Sequence, residues 1–213
     1  MAKEVVEVKK LNVTGIILAG GKSSRMGTNK ALLRIDHTTV IEKIVEEMKA
    51  VTTELIVVTN HFEDYEFLGL PLVADLRKNM GPLAGLEAGL MASSNENNLI
   101  IACDMPFVSQ TLAKTLIQHL EHFDAVVPRI EGKLNPLFAA YRKSCLEEIQ
   151  HSLDDNQLKM RSFLDRIKLK IIDDESLQMA LFNMNTPEEY EKAIQYDKMN
   201  EKNRRIDPDE VRK

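Results

Sequence analysis

The chain has 213 residues, 44% of them hydrophobic and 29% charged, with a formal net charge of −5. That profile is expected of a soluble globular protein of a size that one α/β domain accommodates; no apolar run approaches the roughly 18 to 20 residues of a membrane span, and no basic excess points to nucleic acid. Two cysteines far apart in sequence, Cys103 and Cys145, argue against a disulfide framework and against a cysteine-rich zinc site.

Residues 1–12 mix charges with valines and carry no continuous apolar core, so they read as an extension rather than a secretory signal, and a cytoplasmic location is the expectation. Val13 to Leu18 is the first buried-strand candidate, and it opens into a small, polar, basic stretch ending near Lys30. Val40, Ile41, Ile44, Val45 and Met48 recur at helical spacing, and Leu55 to Thr59 reads as a strand. The short apolar segment Pro71 to Ala74 ends at Asp75, ahead of a Gly81-Pro82 turn that opens a helix over Leu83 to Met91. Leu99 to Ala102 is the next strand; Asp104 follows it, Pro106 stops it, and a helix carrying Leu112, Leu116 and Leu120 begins after Ser109.

Ala125 to Val127 and Leu137 to Tyr141 are strand candidates joined by Pro128 to Pro136, a connection too short for a crossover helix. They suit an antiparallel hairpin inside a mixed sheet. Leu169 to Ile172 is the last strand candidate, and Thr186 with Pro187 makes a helix start. The charged segment 197–213 loses its apolar stripe after Ile206 and reads as a tail that extends or frays that helix. The alternation predicts a single α/β domain over 13–196, a Rossmann-like three-layer sandwich with a mixed, mostly parallel sheet.

Chemistry concentrates after the first strand. Adjacent glycines Gly20 and Gly21 let backbone N–H groups approach an anion, while Arg25 offers a bidentate guanidinium and Lys30 a compact point charge. A Walker loop ending in Gly21-Lys22-Ser23 would need glycine where Ile16 stands, and the dinucleotide fingerprint would need it where Lys22 stands. By spacing alone the segment is equally a glycine turn with solvated basic residues, and Asp104 suits a turn-opening residue better than a ligand.

The segment Leu18-Ala-Gly-Gly-x-Ser-x-Arg-Met-Gly27 followed by Lys30 resembles the signature of nucleotidyltransferases with the nucleotide-diphospho-sugar transferase fold, and most of all the molybdenum cofactor guanylyltransferases. Gly81-Pro-Leu-Ala-Gly85, Cys103-Asp-Met-Pro-Phe107 and Asn183-Met-Asn-Thr-Pro-Glu-Glu-Tyr190 agree in order, so the resemblance covers roughly residues 13 to 195. It implies transfer of GMP from GTP to the phosphate of molybdenum-carrying molybdopterin, with release of pyrophosphate and with molybdoenzymes or their chaperones receiving the product. It implies catalytic roles for Arg25, Lys30 and Asp104, with Asp104 as the ligand of Mg2+. Leu18, Ala19, Gly20, Gly21, Lys30, Asp75, Gly81, Asp104 and Asn185 are the expected binding residues, with Asn185 a second metal or pterin contact, and Lys22 and Asn135 are further substrate-side candidates.

Competing readings are a cytidylyltransferase on the same pterin, a sugar-phosphate nucleotidyltransferase, and a non-catalytic nucleotide sensor. Gly21 favours a purine, since relatives that take pyrimidines tend to carry Leu-Ala-Ala-Gly where this chain has Leu18-Ala-Gly-Gly21. Lys30 together with Asp104 speaks against a mere sensor. His61, His119, His122 and His151 are expected at the surface and outside the chemistry.

Overall fold

A computed structural model describes residues 11–20 and 29–205. Strand β1 (Leu11–Leu18) is an interior strand of an eight-stranded sheet. A two-stranded ribbon of β2 (Arg34–Ile35) and β3 (Thr38–Thr39) leads into helix α1 (Val40–Lys49). Next come β4 (Thr52–Val58), β5 (Leu72–Val73), α2 (Pro82–Ala92), β6 (Asn97–Ala102) and α3 (Gln110–Gln118). The second half supplies β7 (Ala125–Ile130), β8 (Lys133–Leu134), β9 (Phe138–Arg142), α4 (Leu146–Asp154), α5 (Met160–Leu164), β10 (Leu169–Asp173) and α6 (Pro187–Arg205).

The strand order is β10-β7-β9-β6-β1-β4-β5, with β8 pairing to β7. Every pairing is parallel except those made by β9 and β8, so the sheet is mixed and mostly parallel, as the alternation of elements predicts. Period-two side-chain alternation sends Val13 and Ile17 of β1 to one face and Ile16 and Leu18 to the other. Two cores result. On the first face the strands pack against Ile41, Ile44 and Met48 of α1, Leu112 and Leu116 of α3 and Ala193 of α6. On the second they meet Leu86 and Leu90 of α2, Ile149 and Leu153 of α4 and Phe163 of α5. Helices on both faces of one sheet make the three-layer α/β arrangement.

The hairpin expected across Pro128 to Pro136 is present in altered form. Strand β7 runs through Pro128 to Ile130, and the reversal is confined to Glu131 (φ 49°) and Gly132 (φ 74°), a pair of left-handed residues suited to a two-residue turn. β9 then returns antiparallel to both β6 and β7. Helix α6 begins where Thr186 and Pro187 predict it and continues into the charged segment, where Asp197 takes a hydrogen bond from Lys43 of α1 at 2.9 Å. Among the described residues no helix is long and apolar enough to cross a membrane.

Candidate active site

Parallel strands end together, and the crevice beyond their carboxyl ends is where open α/β sheets bind ligands. Three backbone bonds carry the alignment one residue past the strands: Ala19 N–H to Val58 O (2.9 Å), Thr59 N–H to Val73 O (2.8 Å) and Cys103 N–H to Leu18 O (3.1 Å). The next residue from each strand, Gly20, Asn60 and Asp104, therefore reaches the same edge, and Asp75 arrives there from β5.

Asp75 and Asn60 lock each other. The Asp75 N–H donates to Asn60 Oδ1 and Asn60 Nδ2 donates to Asp75 Oδ2, both at 3.2 Å. Burial pushes the Asp75 carboxyl above the usual carboxylate range, and the Asn60 amide pulls against that. A Cβ on Gly20 would lie 3.9 Å from Asp75 Oδ2, and one on Gly85 would lie 3.5 Å from Asp75 Oδ1 and 3.3 Å from Leu18 Cδ2. Asp75 thus stands between two glycines from separate elements, as the edge of a slot. Asn60 was not singled out from the sequence; its only signal there is its place after a strand end. Gly81 is exposed at φ 72° with nothing within 4 Å of a built Cβ, so backbone conformation at the start of α2, rather than close packing, requires glycine here.

Across the crevice Lys30 begins a single 3₁₀ turn, Lys30–Leu32, whose cap is Asn29. Its Nζ donates to Asn185 Oδ1 at 2.9 Å. Asn185 is itself fixed from below: its N–H and that of Thr186 donate to the Glu189 carboxylate at 2.6 and 3.0 Å, while Glu189 N–H donates to Thr186 Oγ1 at 3.2 Å, a reciprocal cap at the start of α6. Through Oδ1, Asn185 orients the Lys30 ammonium from the start of α6. Asn183 donates to Leu181 O, and Asn135 donates to Lys133 O within the β8–β9 connection.

Asp104 follows the end of β6. Its carbonyl accepts from Met184 N–H at 2.9 Å, which joins the β6 end to the segment before α6. Its Oδ1 is buried and finds no hydrogen-bond partner among the described residues. Burial raises the Asp104 carboxyl above its ordinary range, and the nearby Lys30 charge opposes that shift. A buried carboxylate oxygen without a donor fits a divalent cation. The described residues hold no group of three or more His, Cys, Asp or Glu that could complete a cage, so the remaining ligands of such an ion would be phosphate and water oxygens.

Gly21, Lys22 and Arg25 lie outside the described residues. The four histidines read as surface residues, at positions 61, 119, 122 and 151, are all exposed. Burial pushes the Cys103 and Cys145 thiols up to about 12, which leaves both protonated and unreactive near neutrality.

Residues 15–171 match the family model described as the MobA-like NTP transferase domain. The chain belongs to this family. It is 39% identical to a protein of Carboxydothermus hydrogenoformans designated probable molybdenum cofactor guanylyltransferase, an alignment covering 86% of this chain and 95% of the relative. A molybdenum cofactor guanylyltransferase of Desulfosudis oleivorans is 37% identical, covering 85% and 94%. Among solved structures, molybdopterin-guanine dinucleotide biosynthesis protein A of Archaeoglobus fulgidus superposes with a TM-score of 0.76 at 24% identity, covering 87% of this chain and 99% of that one. A CMP:2-keto-3-deoxy-manno-octonic acid synthetase superposes with a TM-score of 0.70 at 14% identity, covering 89% and 100%. Both likenesses establish the fold, that of the nucleotide-diphospho-sugar transferases, and the family membership makes the chain a nucleotidyltransferase.

Proposed function

We propose that this member of the MobA-like family transfers GMP from GTP to molybdenum-carrying molybdopterin, giving the guanine dinucleotide cofactor and pyrophosphate. The observation that carries the reading is the convergence of Lys30 and an orphaned Asp104 oxygen on one crevice, in a chain 37 to 39% identical over most of its length to proteins bearing that name. In this reading the triphosphate lies along the glycine loop between Leu18-Ala19-Gly20 and Lys30, and the base and ribose side faces Asp75, Asn60 and Gly85.

The acceptor is a phosphate monoester, already ionised near neutral pH, so the reaction needs no general base. One acceptor oxygen forms a bond to the α-phosphorus of GTP as the bond to the bridging oxygen of the β-phosphate breaks, and the electron pair leaves on pyrophosphate. What the protein supplies is alignment and charge. Lys30, fixed by Asn185, holds its positive end where negative charge accumulates. Arg25 and Lys22, brought in by the family resemblance, are the further cations of this reading. Mg2+ would be held by Asp104 together with phosphate oxygens, and when bound it supplies charge neutralisation and orientation of the triphosphate. Burial keeps bulk water from the Asp104 oxygen, so its field is weakly screened. The product then passes to molybdoenzymes or their chaperones.

Pyrophosphate release measured with GTP, CTP and UTP, with molybdopterin as acceptor and magnesium present, tests the proposal. GTP alone should support rapid release. A preference for CTP would instead make this a cytidylyltransferase, and release that ignores molybdopterin would remove the acceptor.

A further inference from the structure

Tyr65 is 1% exposed and packs in the core beneath α1, yet it is a tyrosine and not a phenylalanine. A buried hydroxyl is costly unless its hydrogen bonds are made, so the partners of this one reveal what it serves. They are the two stems of the glycine loop. Tyr65 Oη donates to Ala19 O at 3.3 Å, where β1 ends, and accepts from Asn29 Nδ2 at 3.0 Å, where the chain returns to begin the Lys30 turn.

Asn29 Oδ1 is a second acceptor within reach of the Tyr65 hydroxyl, at 3.2 Å, and one assignment also serves the Ala19 carbonyl. Asn29 Oδ1 accepts from Ala31 N–H at 3.2 Å as the cap of the 3₁₀ turn, which leaves its two amide hydrogens for Asp64 Oδ2 at 3.2 Å and Tyr65 Oη at 3.0 Å. The single hydroxyl hydrogen of Tyr65 then goes to Ala19 O, and every donor in the set has an acceptor. Burial raises the Tyr65 hydroxyl well above its ordinary pKa, so it remains a donor throughout the physiological range. Tyr65 sits between two 3₁₀ turns, Phe62–Asp64 and Glu66–Leu68, and Gly69 ends the second of these in the left-handed region at φ 61°.

We infer that Tyr65 is a positioning residue for nucleotide binding: its hydroxyl clasps the carbonyl of Ala19 to the side chain of Asn29 and so fixes the two ends of the loop that receives the triphosphate. This rests on the proposed use of that loop. Tying Ala19 to Asn29 holds their neighbours Gly20 and Lys30 at a set spacing before the nucleotide arrives, and preorganisation of this kind appears as affinity. Tyr65 need not touch the ligand.

The test uses the full chain with GTP and magnesium. Tyr65→Phe keeps the ring and removes the clasp; Asn29→Ser keeps an acceptor for the turn and removes the reach to Tyr65. Each should raise the dissociation constant for GTP by about fivefold to tenfold, the scale of one lost hydrogen bond. Ile149→Val, in the other core, supplies a control with a comparable loss of thermal midpoint and should leave GTP affinity unchanged. Wild-type affinity in both variants overturns the inference, and so does an equal loss in the control. Should wild type bind CTP in place of GTP, the guanylyl assignment falls and the clasp is judged on the same ratios with CTP. A wild type that binds no nucleoside triphosphate overturns both.

Discussion

The Nζ of Lys30 donates to the Oδ1 of Asn185 at 2.9 Å, joining residues 155 positions apart at the mouth of the crevice. One partner follows the glycine loop and the other precedes the last helix, so the placement of the cation depends on both ends of the domain.

Asn185→Ala should therefore lower turnover about tenfold to a hundredfold while leaving GTP affinity within a few-fold of wild type, because a wandering ammonium weakens transition-state contacts more than ground-state binding. Lys30→Ala should cost more, again mainly in turnover. The double variant should resemble Lys30→Ala alone, since Asn185 acts through Lys30. Strictly additive losses in single-turnover assays would show that Asn185 has a role of its own.

Asp104→Asn should keep the fold and reduce turnover by at least about a hundredfold, as expected when the ligand of a charge-neutralising cation is lost. It should also raise the thermal midpoint of the metal-free protein at neutral pH, because the native side chain carries a charge buried without a donor among the described residues. Near-normal turnover with magnesium would remove Asp104 from the site.

Two glycines one turn apart in α2 should behave differently when changed to alanine. A methyl at position 85 meets Leu18 Cδ2 at 3.3 Å and Asp75 Oδ1 at 3.5 Å, so Gly85→Ala should weaken GTP binding with little loss of stability. At position 89 it would come within 2.4 Å of Ile16 Cγ2, a β-branched side chain on the central strand with no room to retreat, and 3.3 Å from Val58 Cγ2. Gly89→Ala should cost about 1 to 3 kcal/mol of stability through overpacking. Chemical denaturation and GTP titration of the two variants separate these effects.

The cap of α1 gives a dependence on pH. Glu42 accepts the N–H and the hydroxyl of Thr39 at 2.8 and 2.6 Å, and these bonds hold its carboxyl below the ordinary range. A depressed carboxylate contributes stability that is present above the unfolded value, near 4.5, and is lost as pH falls through the lower folded value. Glu42→Ala should destabilise the protein by about 1 kcal/mol at pH 7. The difference from wild type should shrink as unfolding is followed down through pH 4 and below. A constant difference across that range would mean that the loss lies in packing rather than in the charged cap.

The strands are legible because buried parallel strands are short continuous apolar runs, whereas the strand-end place of Asp104 suits a turn as well, and the family resemblance alone singles it out. The strand through Pro128 was cut short in the sequence reading, since proline usually ends a strand; here β7 tolerates it between β10 and a local turn. The two-residue strands β2 and β3 are too short for any periodicity to show. Family resemblance brought Asp75 and Asn185 into view but not what holds them. Asn60, Tyr65 and Glu189 each act through a hydrogen bond whose partner is set by the fold, and nothing in their immediate sequence marks which partner that is. Asn185, which the resemblance suggests as a metal or pterin contact, also meets Lys30, a partner 155 positions away that nothing beside it in the sequence marks.

The bond from Met184 N–H to the carbonyl of Asp104 bears on the order in which the protein is made. By the time Asp173 has left the ribosome, every strand of the sheet has been synthesised, and so have the glycine loop, Asp75 and Asp104. The segment that braces Asp104 and anchors Lys30 is still to come. On the proposed function, a chain that stops short of Met184 is expected to be a poor consumer of GTP, because it lacks the segment that braces Asp104 and anchors Lys30.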